Sequence, residues 1–474
     1  MSNFPDEKKY PAELDVQVKP VSDHDQENEN KDAVFGAITE DGPNYRNVGW
    51  IGTTVLLLKA QLGLGVLSIP SVLSTLGLIP GVISILAISA FTTWSDYVIG
   101  TFKLRHREIY NLADVFNLWF GPTGRAIVGV IYCVYMIFCA GSGMLSLSIA
   151  LNAISVHGAC TAIFVVVAAV AVCFISSIQT LGKIQLLGYI GVASIVVALL
   201  TLTVAVGVQE RPSAAPQTGP WDKKFVLFGD PTFAEASSSL AALVFAFCGT
   251  PGFFGIISEM RDPRLYTRAV CICQSFLTAM YITVGVVVYY FCGQYVASPA
   301  LGSAGPLLKK ICYGIAIPAL AVSSLIVTHL PAKFLFVTFM RDSPHLNKNT
   351  PKHWIVWLGC VIGCTLISYV IASAIPVFGG LISLIGALFG TFMSMQPYVA
   401  DLFRAFMWFY DNWHLRKNAT LQWRALAAWN VLLVVAGTFL MVCGTYGSIM
   451  DIITSYKASG GSAAWSCADN SNSV

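Results

Sequence analysis

Long apolar stretches alternate with short polar loops over most of the chain. A helix needs ~20 residues to cross the ~30 Å hydrocarbon core of a bilayer, and eleven stretches have that length and character. They lie at about 49–69, 78–99, 124–150, 160–178, 184–208, 236–257, 267–292, 311–337, 354–373, 378–402 and 424–450. A β-barrel would instead show ~10-residue segments of alternating polarity. The pattern therefore predicts an all-α integral membrane protein with eleven spans.

The composition supports this prediction. Of the 474 residues, 55% are hydrophobic and only 11% are charged, whereas an average soluble domain has roughly 25% charged residues. This composition excludes a soluble globular protein and a disordered or fibrous one. The net charge of +3 is too small to suggest a nucleic-acid partner, so the expected surroundings are lipid.

The polar ends and the basic residues predict the orientation. Residues 1–47 lack the apolar core of a signal peptide and are predicted to be a disordered cytoplasmic tail. When the N-terminus is placed inside, 20 of the 28 Lys and Arg residues fall on inner segments, six on outer segments and two within spans. Because inner loops are enriched in Lys and Arg, the C-terminus is predicted outside. Residues 452–474 are predicted to be a disordered extracellular tail.

The thirteen cysteines and the other reactive residues indicate no enzyme. No C-x-x-C metal or redox spacing is present, and Cys292 and Cys312, on one predicted outer loop, are the one pair that could form a disulfide. The sequence has no plausible metal cluster, paired carboxylates or nucleophile elbow. A P-loop is also absent, which argues against an ATP-driven pump. We expect no metal and no catalytic residue.

Two spans contain clustered helix breakers. Span 1 has two glycines followed by Pro70, and span 6 has the run Gly249-Thr-Pro-Gly252, where proline removes a backbone donor. Close helix packing is an alternative role for such small residues. Because these are the first and sixth spans, the chain divides into a five-helix repeat at 48–208, a loop at 209–235 and a second repeat at 236–402. Residues 403–451 then form a cytoplasmic loop and an extra helix 11. Weak segments at matching positions of two repeats are typical of a transporter binding site.

The predicted breaks carry complementary polar groups. A substrate carboxylate can be held by N–H groups at the start of a half-helix, here those of Gly63, Leu64 and Gly65. Carbonyl groups near Phe245 and Cys248, beside the break at Gly249, can hold an ammonium group. This pair of opposite half-sites fits an α-amino acid.

Four segments together resemble the amino acid/auxin permease family, which is also called the amino acid/polyamine transporter 2 family. They are Gly63–Pro70, Tyr110–Arg125, Glu259–Pro263 and Ile375–Gly390, and they look most similar to fungal neutral amino acid permeases. The resemblance implies the leucine-transporter type of fold, with five plus five inverted helices and an eleventh. It also implies secondary transport of amino acids by alternating access.

Lys59 lies in span 1, four residues before Gly63. A charge within the membrane is rare and is a functional candidate by default, although a lysine can also extend to the headgroups. Sodium-coupled relatives look to carry asparagine at this position. We therefore predict that Lys59 takes the place of a sodium ion and takes part in proton coupling, with no other cofactor and no sodium. Its predicted neighbours on span 8 are Ser323, Ser324 and Thr328.

Further candidates lie on spans 2, 3 and 6. Glu259 and Arg261 close span 6 on the inside and form either an inner gate or a loop ion pair. Asp96, one turn from the predicted inner end of span 2, is expected to meet headgroup water. Tyr135 and Cys139 share one face of span 3, which faces the substrate in the superfamily that the chain resembles.

The predicted substrate is a neutral aliphatic or aromatic amino acid. The pocket expected from Phe245, Phe247 and Val322 has no acidic residue to pair with a cationic side chain. The preferred hypothesis is a proton-coupled importer of the plasma membrane. The alternatives are a vacuolar or pathway-associated transporter and a non-transporting sensor that signals through its N-terminal tail.

Overall fold

The computed structural model describes residues 31–32, 36–37, 47–179, 181–341, 343–346, 348–375, 377–396, 407–458 and 465–471. Most of the predicted N-terminal tail and the inner end of predicted span 10 lie outside these residues. Two short strands, Lys31–Asp32 and Gly36–Ala37, pair antiparallel with Lys31 opposite Ala37. The rest of the described chain is helices and loops.

The helices follow the predicted spans, whose numbers we keep. Apart from spans 1, 6 and 10, they are Leu78–Arg105 (span 2), Leu112–Ser155 (3), Thr161–Ser176 (4), Leu181–Val208 (5), Tyr266–Cys292 (7), Pro306–Met340 (8), Pro351–Ala374 (9) and Leu421–Ala458 (11). Span 3 has a kink with non-helical backbone at Gly121. Span 10 is Phe378–Ile385, a π-helical segment Gly386–Gly390 and Thr391–Ser394. Short helices also occur at Met407–Asn412 and Trp413–Asn418. Among the described residues, eight helices are long and apolar enough to cross a membrane, or nine with the bent pair of span 1. Eleven stays a prediction, because spans 4 and 10 are shorter.

Both predicted helix breaks are present. Span 1 consists of helix 1a (Trp50–Gln61), a 3₁₀ turn at Gly65–Ser68 and helix 1b (Ile69–Leu76), with a bend of 41°. Span 6 consists of helix 6a (Phe233–Ala246) and helix 6b (Thr250–Ser258), which has a proline in its first turn. The glycine and proline runs end each helix where the sequence predicts.

The two broken spans cross at their breaks. A Cβ atom at Gly65 would lie 2.3 Å from the Cα of Ala246, at the end of helix 6a. A Cβ atom at Gly249 would lie 2.6 Å from the Cγ of Gln61, at the end of helix 1a. Each break thus needs a glycine because the other span passes directly against it.

The other helices pack around the two broken spans. Span 8 packs along spans 3 and 5, whereas span 7 packs along span 2 and both halves of span 1. Span 11 packs along helix 6a and span 10. One contiguous buried cluster joins these elements, so the crossing of the breaks lies in the interior of the bundle.

The disulfide joins two distant parts of the chain. Cys160, at the start of span 4, is bonded to Cys467 near the C-terminus. The pairing considered for Cys292 and Cys312 is wrong, since both are free thiols whose side chains point into the protein interior.

The described part of the C-terminal segment, Trp465–Ser471, lies against the ends of several spans. The Trp465 N–H donates to the Ser373 carbonyl (3.1 Å), and the Lys309 Nζ donates to the Ser471 carbonyl (2.5 Å). Thr161 donates its hydroxyl to the Ala468 carbonyl (2.7 Å). These contacts and the disulfide give Trp465–Ser471 a defined place where a disordered tail was expected.

Candidate functional site

A small cavity of about 30 Å³ lies where the two breaks cross. This volume has room for one or two water molecules, so the structure shows an occluded conformation in which side chains must move to admit an amino acid. Its lining comes from spans 1, 3, 6 and 8: Lys59, Ala60, Gln61, Leu64, Gly65, Tyr135, Met136, Cys139, Phe245, Cys248, Gly249, Ser323, Ile326, Val327 and Leu330.

The span 1 break offers backbone donors beside the cavity, which is lined by the predicted residues Leu64 and Gly65 but not by Gly63. In the described residues, the N–H groups of Gly63 and Leu64 donate no hydrogen bond, because the helix is interrupted there. The buried Lys59 donates from Nζ to the Leu62 carbonyl (3.1 Å). An ammonium group and two free amides therefore lie within one turn of chain.

The structure brings Lys59 and Ser323 together. A Cβ atom at Gly63 would lie 2.1 Å from the Ser323 Oγ and 3.3 Å from the Lys59 Nζ, so both groups surround Gly63. The Ser323 hydroxyl is buried and has no hydrogen-bond partner among the described residues.

The other two predicted neighbours of Lys59 do not line the cavity. Ser324 donates to the Leu320 carbonyl (2.8 Å), and its Oγ would lie 2.3 Å from a Cβ atom at Gly143, so it faces span 3. The Thr328 hydroxyl is buried without a described partner. Of the three residues, only Ser323 reaches the cavity.

The span 6 side offers carbonyl groups that accept tyrosine hydroxyls. Tyr135 donates to the Cys248 carbonyl, and Tyr281 donates to the Ala246 carbonyl (2.8 Å). The Cys248 thiol lies 2.8 Å from the Ser394 hydroxyl of span 10. Hydroxyls thus occupy these carbonyls in the occluded conformation, and an ammonium group can replace them.

Two predicted pocket residues lie elsewhere. Phe247 packs edge-on against Tyr281, with ring centroids 4.9 Å apart, and Val322 would contact a Cβ atom at Gly191. Neither lines the cavity, whereas Phe245 does. The single charged residue of the lining is Lys59, and no carboxylate lines the cavity.

A buried ion pair lies at the end of helix 6b, on the side that the sequence predicts to be the inner one. Glu259, at the end of helix 6b, pairs with Lys333 of span 8, and the two side chains are 1% and 3% exposed. The exposed Arg261 instead donates to the Asn47 side chain (3.2 Å). Glu259 therefore pairs with Lys333 and not with Arg261 at the end of helix 6b.

Backbone hydrogen bonds close the same end. The Val48 N–H donates to the Glu259 carbonyl (3.1 Å), and the Arg261 N–H donates to the Val48 carbonyl (2.8 Å). The segment that precedes helix 1a is thereby fastened to the segment that follows helix 6b. Sequence reasoning missed Lys333, although a second lysine within a span was a signal that a buried acid must lie nearby.

The prediction for Asp96 is wrong. Its side chain is buried and accepts a hydrogen bond from Gln274 of span 7. Span 2 continues to Arg105, nine residues or about 14 Å further along a helix, so Asp96 lies too deep to meet headgroup water.

The comparisons with known proteins agree with this geometry. The family described as transmembrane amino acid transporter protein matches residues 46–450. The chain belongs to this family. Its members are transporters, so the chain is a multi-pass membrane transporter and not an enzyme. The resemblance that the four sequence segments indicated is confirmed.

Curated relatives support the family. A protein of Gibberella moniliformis named transmembrane transporter is 33% identical over 92% of this chain and 90% of its own length. A protein of Neurospora crassa named N amino acid transport system protein is 34% identical over 90% of this chain and 89% of its own length.

Two solved structures show the fold type. MhsT, solved in complex with L-phenylalanine, matches with a TM-score of 0.53 and 13% identity over 85% of this chain and 98% of its own. Mhp1, a nucleobase-cation-symport-1 family transporter solved with bromovinylhydantoin, matches with a TM-score of 0.51 and 13% identity over 92% and 99%. The predicted leucine-transporter type of fold is confirmed.

Proposed function

We propose that this protein imports neutral α-amino acids together with protons across the plasma membrane. The observation that carries this proposal is the cavity at the crossed breaks, which combines free amides, carbonyls and one buried ammonium group without any lining carboxylate. Sugars carry neither charge of the amino acid backbone and would leave these groups unpaired.

The carboxylate of the substrate binds at the span 1 break. The free N–H groups of Gly63 and Leu64 donate to it, and the Lys59 ammonium provides a nearby positive charge. Charge-assisted hydrogen bonds of this kind are stronger than neutral ones. The ammonium group of the substrate then faces the carbonyl groups around Phe245 and Cys248, and the Tyr135 hydroxyl must withdraw from the Cys248 carbonyl.

The side chain of the substrate lies among the apolar lining residues of spans 3 and 8. A cationic side chain in this place would lack a counter-ion, and burial of an unpaired charge is costly. An anionic side chain would leave its own charge in apolar surroundings once the substrate carboxylate has taken the amides. Neutral aliphatic and aromatic side chains avoid both costs.

We propose that Lys59 replaces a transported sodium ion and takes part in proton coupling. Its fixed ammonium group, beside Ser323 and the Leu62 carbonyl, supplies the positive charge that sodium provides in sodium-coupled transporters. No sodium dependence is expected as a result.

The proposed location is the plasma membrane with the N-terminus inside. Disulfides persist in oxidising compartments such as the cell exterior, and the bond between Cys160 and Cys467 is consistent with an extracellular C-terminal segment. It agrees with the orientation expected from the distribution of basic residues.

Uptake measurements test the proposal. The protein is expressed in cells deficient in amino acid uptake, and labelled leucine, glutamate and lysine are supplied at two pH values, with and without sodium. We expect saturable leucine uptake that increases at the lower external pH and does not respond to sodium. Absence of saturable uptake under every condition would favour a sensor. If the protein is missing from the cell surface and isolated vacuoles take up the labelled amino acid, the vacuolar alternative is favoured.

A further inference from the structure

A second polar cluster lies buried between spans 1, 2, 6 and 7, apart from the substrate cavity. The Gln274 Nε2 donates to the Asp96 Oδ2 and lies 3.3 Å from the Gln61 Oε1. The Tyr266 hydroxyl donates to the backbone carbonyl of Asp96 (3.3 Å). Asp96, Gln61, Gln274 and Tyr266 are all buried, so a carboxyl group and two amides share one enclosed site.

Several polar atoms of this cluster have no partner among the described residues. They are the Asp96 Oδ1, the Gln61 Nε2, the Gln274 Oε1 and the Thr250 Oγ1. Unpaired buried polar atoms are rare and require an explanation. One of these atoms belongs to the Asp96 carboxyl group and the other three come from its neighbours, so donors and acceptors face one another in one enclosed polar site.

Among the residues that the structure describes, no Lys, Arg or His side chain pairs with the Asp96 carboxyl group. The groups that face it from neighbouring elements are Gln61 of helix 1a, Thr250 of helix 6b, Cys248 at the span 6 break, and Cys273 and Gln274 of span 7. The short helix Met407–Asn412 contacts span 2 only towards its inner end, where Asp411 pairs with Arg105 and His106. An ionised carboxyl group without a cation inside a membrane protein is costly, and binding a proton removes that cost.

Gln61 connects this cluster to the substrate cavity. It is the last residue of helix 1a, it lines the cavity, and its side chain packs on Gly249 at the span 6 break. A tilt of helix 1a away from span 6 would withdraw Gln61 from Gln274 and open a path from Asp96 to the inner aqueous phase. The position of helix 1a relative to span 6 would therefore determine whether water can reach the Asp96 carboxyl group.

We propose that Asp96 is the carrier of the transported proton, an inference that rests on the proposed proton coupling. In the occluded conformation the carboxyl group holds the proton within the cluster with Gln274. When helix 1a tilts inward, the carboxyl O–H bond breaks and the proton passes to water. Gln61 and Gln274 are positioning residues, since they orient the carboxyl group and do not carry the proton themselves.

The experiment uses purified full-length protein in liposomes that contain a pH-sensitive dye and labelled leucine as the probe. Three quantities are measured for wild type and for Asp96→Asn: leucine accumulation driven by an imposed pH gradient, proton influx on addition of leucine, and leucine counterflow at equal pH. Asp96→Glu tests rescue by a carboxyl group. Ser95→Ala, one residue away on the same helix, is the matched control.

For Asp96→Asn we expect at least a tenfold loss of gradient-driven accumulation, no leucine-dependent proton influx, and counterflow within about threefold of wild type. Retained counterflow shows that the variant is folded and binds leucine. Asp96→Glu is expected to restore proton influx, and Ser95→Ala to match wild type.

Two results would overturn the inference in distinguishable ways. If wild type shows leucine-dependent proton influx and Asp96→Asn shows the same influx, Asp96 is rejected as the carrier. The proposed function then stays intact, and Lys59 is the remaining candidate. Leucine uptake by wild type without any proton influx would reject the proposed coupling and this inference with it.

Discussion

The buried pair of Glu259 and Lys333 provides a quantitative test of how the inner side closes. Removal of one partner takes away the counter-ion that the other buried charge meets in this conformation, and breaking a buried ion pair costs about 3–5 kcal/mol in proteins. When the inner side opens, water can reach the remaining charge, so the cost falls mainly on the closed state. Glu259→Gln and Lys333→Met should each shift the equilibrium towards the inward-open state by about 10²- to 10⁴-fold, since 1.4 kcal/mol corresponds to a factor of ten.

The assay is the reaction of Cys248 with N-ethylmaleimide, measured by mass spectrometry of the peptide that contains it. Cys248 is a free thiol that lines the cavity and is 5% exposed, so its labelling rate reports how often the cavity opens. Both single variants should label at least tenfold faster than wild type. The rate will level off once the open state predominates.

The double variant Glu259→Gln/Lys333→Met distinguishes an ion pair from two unrelated residues. It removes both charges of the pair together, so its labelling rate should lie between those of wild type and the single variants. Arg261→Gln should stay within about threefold of wild type, because exposed polar contacts contribute little. Two results would show that these side chains do not close the cavity as an ion pair. One is single variants that label at the wild-type rate, and the other is a double variant whose rate increase equals the product of the two single increases.

Three further predictions follow from the same contacts. Gly65→Ala should reduce uptake at least tenfold and lower the melting temperature, because its Cβ would lie 2.3 Å from the Ala246 backbone and overpacking costs about 1–3 kcal/mol. Gly314→Ala is the matched control, because a Cβ there would have nothing within 4 Å. Equal uptake and equal melting temperatures of the two variants would contradict the close crossing of spans 1 and 6. Lys59→Asn should change the pH profile of uptake and introduce a sodium response, and an unchanged profile without that response would reject the role of Lys59. In intact cells, an impermeant maleimide should label Cys467 of the Cys160→Ser variant without permeabilisation, whereas labelling only after permeabilisation would reverse the proposed orientation.

Local features of the fold were predictable from the sequence. The breaks of spans 1 and 6 were visible because glycine and proline act on their own backbone, whatever the surroundings. The cavity residues on these breaks, such as Gly65 and Cys248, could be predicted for the same reason. The position of Tyr135 followed from helical spacing together with the family resemblance.

Pairings between distant residues were not predictable in this way. Glu259 and Lys333 are 74 residues apart, Asp96 and Gln274 are 178 apart, and the disulfide spans 307 residues. Sequence reasoning favours close neighbours, which is why it placed Glu259 with Arg261 and Cys292 with Cys312. Such contacts depend on how the spans pack, and hydrophobic pattern alone does not determine that packing.

The proposed cavity recognises both charged groups of a neutral α-amino acid. The most direct measurement is the initial rate of labelled leucine uptake into liposomes that contain the purified protein, with unlabelled competitors in excess. Leucine itself should compete fully, whereas leucine methyl ester, N-acetylleucine, lysine and glutamate should compete at least tenfold less well. Equal competition by the methyl ester or the N-acetyl compound would contradict the two half-sites, and equal competition by lysine or glutamate would contradict the neutral specificity.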